Sequence, residues 1–418
     1  MDKTPASFLT KTKNIRRSAM VWNAVSACLT SFQTMLLLMV LTHFGTAEHS
    51  GYFVMAYTAA NLLMHLGKFG MRQYQVTDAG NNYTFREYAA SRVFSVGLMT
   101  LALAVYLLWS LLFNGYTAEK AAVVALITFY RGVEAAEDVI HGRLQQKGRL
   151  DIAAKILAIR NAVFMIGFAV LYLLTRNLVL TCAVNAALTV IICIVLNRPF
   201  AERQKLSPSF HPRALLLDCL PLCLTMITYM YLSNAPKYIV DGLVSDAVQT
   251  RFNIVIMPAF VASLLCSFIF NPALKRIGEL WQNREIKALR RTTRKLALVP
   301  VAVDAALLLG GWFLGIPLLS AVYGVDLTDY RLILMIFLLA GGAVAMLNLF
   351  VALLTAMRKQ KLLLLAYAVA SLLLLIAGRS LFAAKDLTFL CLFYLAVLLL
   401  VLAWCAGVYW FMVRTERK

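Results

Sequence analysis

Apolar stretches long enough to cross a bilayer recur along the whole chain, and that recurrence limits the fold before any motif is read. A membrane-spanning helix needs about 20 predominantly apolar residues. Such runs lie near residues 18 to 43, 50 to 70, 89 to 113, 119 to 143, 151 to 174 and 178 to 197, and six more near 214 to 235, 248 to 272, 295 to 320, 330 to 356, 362 to 383 and 387 to 412. Hydrocarbon offers no hydrogen-bond partners, so only helices or a closed barrel satisfy their backbones inside it. Runs such as Leu36-Leu37-Leu38 and Leu372 to Leu375 show no period of two, which argues against barrel strands. With 61% hydrophobic residues, 14% charged and a mean hydropathy of +0.76, the chain is too oily for a water-soluble protein of 418 residues. The expectation is an all-α membrane protein with twelve transmembrane helices.

The basic residues predict its orientation. Taking both termini and the even-numbered connections as one side, 29 of the 40 Lys and Arg fall there. The other side holds six: Lys120, Arg176, Lys237, Arg251, Arg331 and Lys385. That asymmetry places both termini in the cytoplasm. The net charge of +20 follows from this topology signal together with attraction to anionic lipid head groups, so nucleic acid is not implied as a partner.

One apolar run is unlike the rest. The fourth, roughly residues 119 to 143, carries Arg131, Glu134, Glu137, Asp138 and His141 at membrane depth. At helical spacing these five fall within an arc of about 120°. An Arg, Asp or Lys at the centre of a spanning helix costs roughly 2.5 to 3.5 kcal/mol, whereas each Leu, Ile, Val or Phe returns about 0.3 to 0.6. Such a face cannot lie against lipid. It either packs against partners inside a bundle or lines a wet cavity, and both make it a functional-site hypothesis.

Other ionic positions lie near it in the pattern. Lys68 and Arg72 close the second helix and Arg92 opens the third; together they form either a basic mouth for phosphate or ordinary snorkelling helix ends. Arg160 sits about nine residues into the fifth helix, deep enough to pair with Glu134 or Asp138 or to face a cavity. Asp304 lies inside the ninth helix, where an isolated carboxylate is placed for ion coupling unless a structural partner meets it.

The chain divides naturally into two lobes of six helices, residues 1 to 200 and 201 to 418, at a connection with Pro199, Pro208 and Pro212 among charged residues. Pro221, Pro258, Pro300 and Pro317, with Gly310, Gly311, Gly315 and Gly341-Gly342, predict bending points or close packing in the second lobe. The eight cysteines lie almost entirely within apolar runs and show neither a disulfide framework nor metal spacing. No metal and no cofactor is expected.

Several stretches carry a family resemblance. The opening Lys13-Asn14-Ile15-Arg16-Arg17-Ser18 with Trp22-Asn23 resembles the start of bacterial polysaccharide-biosynthesis flippases, the Wzx-type members of the multidrug/oligosaccharidyl-lipid/polysaccharide exporter superfamily. So do Gly67-Lys68-Phe69-Gly70-Met71-Arg72 leading to Gln75-Val76-Thr77-Asp78, and Glu134 to Asp138 running through Gly142 and Gln145 to Gly148-Arg149-Leu150-Asp151. Asn234-Ala235-Pro236-Lys237-Tyr238, Met257-Pro258 and Phe270-Asn271-Pro272 fit as well. The resemblance spans most of residues 10 to 295.

It implies two six-helix lobes around a central cavity, a monomer, and passage of undecaprenyl-diphosphate-linked oligosaccharide from inner to outer leaflet by alternating access. On that reading Lys68, Arg72, Arg131 and Arg160 bind the phosphate or acidic sugar. Glu134, Asp138 and Asp304 couple an ion or hold the arginines in place. The partners are the polyprenyl-diphosphate-linked oligosaccharide and the surrounding membrane lipids. Two alternatives stand beside it: a drug or cation exporter of the same superfamily, expected to show a cavity dominated by carboxylates, and a membrane enzyme acting on polyprenyl-linked sugars, expected to carry a large external loop with paired acids. The longest outer connection here has Asp241 and Asp246 as its only acids, so no enzyme is expected.

Overall fold

The computed structural model describes residues 9–10, 12, 14–77, 83–200, 212–357, 360–384 and 386–415. Lys13, Asp78 and Pro208, singled out in the sequence, lie outside the described residues, as does the expected inter-lobe connection 201–211. The described residues are helical and contain no strand. By internal contacts the chain forms two units, Met1–Met230 and Tyr231–Lys418, the division falling inside one helix.

In the first unit, α1 (Ile15–Phe44), α2 (Ala47–Lys68), the short α3 (Met71–Thr77), α4 (Phe85–Phe113), α5 (Ala118–Gln146), α6 (Leu150–Thr175) and α7 (Leu178–Asn197) follow one another, and α8 (Pro212–Val240) begins there. Side-chain caps set the helix starts. Asn14, Thr46, Thr117 and Asn177 each accept a backbone N–H from the first turn, and Thr84 with Glu87 forms a reciprocal capping box. These caps satisfy first-turn donors that have no partner within the helix. Helix α2 stops at Phe69 and Gly70, both with positive φ (50° and 67°), after which the chain turns into α3. A Cβ on Gly70 would sit 2.8 Å from Leu222 Cβ, so glycine there answers both the backbone twist and the close approach of α8.

α5 packs chiefly on α2, and α1 on α6. Helix α2 is buried on nearly every side, from Ser50 to Ala60, whereas α4 turns Leu101, Val105, Leu108 and Leu112 outward. An exposed apolar stripe at helical spacing is a lipid-facing surface.

The second unit holds the end of α8, then α9 (Asp246–Gln282), α10 (Ile286–Gly310), α11 (Ile316–Tyr323), α12 (Arg331–Ala356), α13 (Gln360–Ala384) and α14 (Leu387–Thr415). α12 is its centre, packed on α9, α10 and α14. Gly341 makes this possible: a Cβ there would lie 2.4 Å from the carbonyl oxygen of Ala259, so the α9 and α12 backbones touch. Phe252, Phe337 and Tyr394 join α9, α12 and α14 through successive ring contacts of 5.6 and 5.7 Å. The Gly and Pro cluster of the ninth apolar run becomes a π-helical turn, Gly311–Gly315, between α10 and α11, while α10 continues through Pro300.

Among the described residues ten helical spans are long and apolar enough to cross a membrane, and the protein is a multi-pass membrane protein. The expectation of twelve crossings requires α2 and α5 to cross as well; both fall below that apolarity, α5 because of its ionic stripe. All eight cysteines are free thiols; Cys219 and Cys223 pack with Phe69, Met71, Tyr88 and Val139 as small hydrophobic groups.

Candidate functional site

The ionic stripe of α5 forms the centre of a buried charge network inside the first unit. Glu134, Glu137 and Asp138 occupy successive positions on one face, and each is met by cations from neighbouring helices. Glu134 Oε1 lies 2.7 Å from Lys68 Nζ, and its Oε2 lies 2.8 Å from Arg131 Nη1 and 3.0 Å from Arg160 Nη2. Arg160 Nη1 is 2.6 Å from Glu137 Oε1, and Asn197 at the end of α7 donates to Glu137 Oε2 at 3.0 Å. Asp138 takes Arg72 on one oxygen at 3.1 Å and Arg92 on the other at 3.2 Å.

Further contacts fix the cations. Arg72 donates through Nε and Nη2 to Gln145 Oε1, two turns beyond Asp138 on α5, and Arg92 donates to the carbonyl of Gly67, which also accepts from Ser95 Oγ. Arg131 stacks over Tyr57 and Tyr130 at 5.2 and 5.4 Å, and Arg160 lies over Tyr130 at 5.6 Å. The Tyr130 hydroxyl accepts from Gln33 at 3.0 Å and donates to Asn161 at 3.2 Å, while Asn161 donates to Thr30 at 2.7 Å. Those bonds tie α1, α5 and α6 together behind the charges. Burying ions costs several kcal/mol each, and the cost is offset when every charge is paired at short range.

Two features decide what such a site can hold. Five cations, Lys68, Arg72, Arg92, Arg131 and Arg160, face three carboxylates, Glu134, Glu137 and Asp138, so the network has a formal excess of positive charge. Its accessibility is also graded. The side chains of Lys68 and Arg72 are 26% and 28% exposed, while Arg131 and Arg160 are 3% and 0% exposed. A net cationic cluster with a lysine and an arginine at its accessible edge can take an anion with several acceptor oxygens.

Of the seven residues singled out in the sequence, Lys68, Arg72, Arg131, Glu134, Asp138 and Arg160 come together here. Arg131 and Arg160, expected as direct contacts, are enclosed, with Glu134 and Glu137 meeting their charge. Arg160 pairs with Glu134, one of the partners expected for it, and with Glu137 in place of Asp138. Asp304 stands apart in the second unit, on α10. Its Oδ1 is buried with no hydrogen-bond partner among the described residues, and its carboxylate packs against Gly342, where a Cβ would lie 2.2 Å from Oδ2. Glu137, which the sequence places on the ionic arc, and Arg92, grouped there with Lys68 and Arg72, also belong to the network, although neither was among the residues assigned to substrate or ion. Asn197, a polar residue at a helix end, gave no signal. Among the described residues no group of His, Cys, Asp and Glu could hold a metal ion.

The architecture carrying this network has known counterparts. An inward-facing multidrug resistance MATE family transporter of the MOP superfamily superposes with a TM-score of 0.68, covering 95% of this chain and 99% of that one at 11% identity. An outward-facing MATE transporter of the same superfamily gives 0.64, with both chains covered in full at 12% identity. This chain has the MATE transporter fold. A further MATE-fold protein, a MOP superfamily transporter from Pyrococcus furiosus described as having a binding pocket of reverse polarity, gives 0.57 at 11% identity, again over both full chains. In sequence, a distant relative is the capsular polysaccharide biosynthesis protein CapF of Staphylococcus aureus, 21% identical over 326 residues, 75% of this chain and 78% of that protein. The chain matches no protein-family model. The solved structures that share this fold are those of membrane transporters.

Proposed function

We propose that this protein is a flippase that carries polyprenyl-diphosphate-linked oligosaccharide from the inner to the outer leaflet for cell-surface polysaccharide synthesis, by alternating access, with both termini in the cytoplasm. The observation that carries the reading is the positive excess of the α5 network, displayed at Lys68 and Arg72. A disubstituted diphosphate is a dianion whose oxygens match a lysine and an arginine side by side. It cannot cross roughly 30 Å of hydrocarbon unaided, and fixed cations lower that barrier. The likeness to a capsular polysaccharide biosynthesis protein supports the same substrate class.

In this mechanism Lys68 and Arg72 contact the diphosphate, and each must loosen its hold on Glu134 or Asp138 to do so. Arg131 and Arg160 act behind them, holding Glu134 so that its charge is shared and Lys68 remains available. Asp304 serves as the coupling carboxylate in the second unit.

The test uses a strain whose surface polysaccharide depends on this protein. Lys68→Gln/Arg72→Gln lowers export at least tenfold while the membrane level of protein is unchanged, and the lipid-linked oligosaccharide builds up on the inner leaflet. Undiminished export by the double variant removes the site. Depletion of the wild type without any such build-up, but with a rise in sensitivity to cationic drugs, favours a drug exporter in its place.

A further inference from the structure

The second unit carries a cationic surface that the transport cycle above does not use. Lys287, Arg290, Arg291, Arg294 and Lys295 recur along α10 at spacings of three and four, which puts them on one face. With Leu298 they line a shallow groove of about 340 Å³. Lys287, Arg291, Arg294 and Lys295 are exposed, and none of the four makes an ion pair among the described residues. Four cations on three turns repel one another, and among the described residues no carboxylate pairs with any of them.

The stripe is anchored from behind. Arg290 stacks over the ring of Trp410 at 5.6 Å, and its Nη2 donates to the Val413 carbonyl at 3.3 Å. The Tyr409 hydroxyl donates to Thr293 Oγ1 at 3.0 Å. These contacts pin α10 to α14, so the four free cations point from a fixed helix face. Its height in the bilayer is marked as well. After Lys295 the chain has no Lys or Arg until Arg331, and the intervening segment is part of a membrane-crossing span. Leu298 is 67% exposed beside the last cation, and Trp410 is a residue type enriched at membrane interfaces. The groove therefore has cations at its polar end and an apolar wall at the other, the shape of a phospholipid with its headgroup outward.

We propose that Lys287, Arg291, Arg294 and Lys295 form a binding site for the phosphate of an anionic phospholipid, held as a resident boundary lipid of the second unit. Arginine supplies a fork for the phosphate oxygens, lysine a compact charge, and Leu298 the start of the acyl contact. This site is independent of the diphosphate reading and stands or falls without it.

Native mass spectrometry of the full chain in detergent, titrated with phosphatidylglycerol and separately with phosphatidylcholine, reads the preference directly. The wild type retains phosphatidylglycerol at least tenfold more strongly. Each basic residue beside an anionic surface contributes about fivefold, so Lys287→Gln/Arg291→Gln/Arg294→Gln/Lys295→Gln abolishes most of that preference. These side chains are exposed and unpaired, so the variant folds, and an unchanged thermal midpoint verifies it. Arg16→Gln/Arg17→Gln, removing another exposed basic pair, keeps the preference. Equal loss in both variants, or full preference in the fourfold variant, overturns the site. Displacement of phosphatidylglycerol by millimolar inorganic phosphate, but not by chloride of equal ionic strength, assigns the groove to a soluble anion and overturns the lipid; retention supports it.

Discussion

Arg160 and Glu137 meet at 2.6 Å with both side chains sealed from solvent, so neither charge can turn to water if the other is lost. The same guanidinium reaches Glu134, which makes Arg160 the brace between two turns of α5. Removing one partner of such a pair leaves an uncompensated buried ion, a loss of about 3 to 5 kcal/mol.

Arg160→Ala is therefore expected to destabilise the purified protein by about 3 to 5 kcal/mol, read as a lowered midpoint in thermal or denaturant unfolding. Arg160→Lys recovers part of it, because a point charge cannot bridge both carboxylates as a planar fork does. A wild-type midpoint for Arg160→Ala would show that this pair does not brace the unit.

Tyr130→Phe removes a hydroxyl that accepts from Gln33 and donates to Asn161, while keeping the ring that stacks on Phe164 at 3.9 Å. The expected cost is about 1 kcal/mol with export unchanged, well below that of Arg160→Ala. Unfolding measured on the two variants side by side checks the order.

The apolar runs of this chain announce helices because hydrocarbon admits few alternatives, and the stripe of α5 stands out because each ion there is costly. The partners were harder to read. The depth of Arg160 in α6 left it either paired with Glu134 or Asp138 or facing a cavity; that it pairs with Glu134 and Glu137 depends on how α6 crosses α5. Arg92, placed at a helix start as part of a basic mouth or as a snorkelling end, turns inward to Asp138 and the Gly67 carbonyl. Gly310, Gly311 and Gly315 marked an interruption without revealing that it would be a π turn. Side-chain periodicity records which face is polar; the identity of the group opposite is a property of packing.

In the second unit, Gly341→Val places branched carbons where the Ala259 carbonyl already lies within 2.4 Å of a Cβ position. Separating α9 from α12 costs about 1 to 3 kcal/mol, more than Gly407→Val, whose Cβ would meet nothing within 4 Å. Unfolding midpoints of the two variants test the contrast.

Asp304→Asn keeps the shape of the side chain and removes its capacity to carry charge. If Asp304 couples transport to an ion, reconstituted Asp304→Asn protein no longer responds to an imposed proton or sodium gradient, while its thermal midpoint stays near that of the wild type. A response equal to wild type under both gradients would leave Asp304 a structural group.

The left-handed bend at Phe69 and Gly70 acts as a ruler. Lys68 and Arg72 stand four residues apart across it, and Glu134 and Asp138 stand four apart on the facing helix, so the bend matches one interval to the other. Inserting or deleting a single residue between positions 68 and 72 would change one interval and not the other, so that Lys68 and Arg72 could no longer both meet their carboxylates, even though every charged residue would still be present in the sequence.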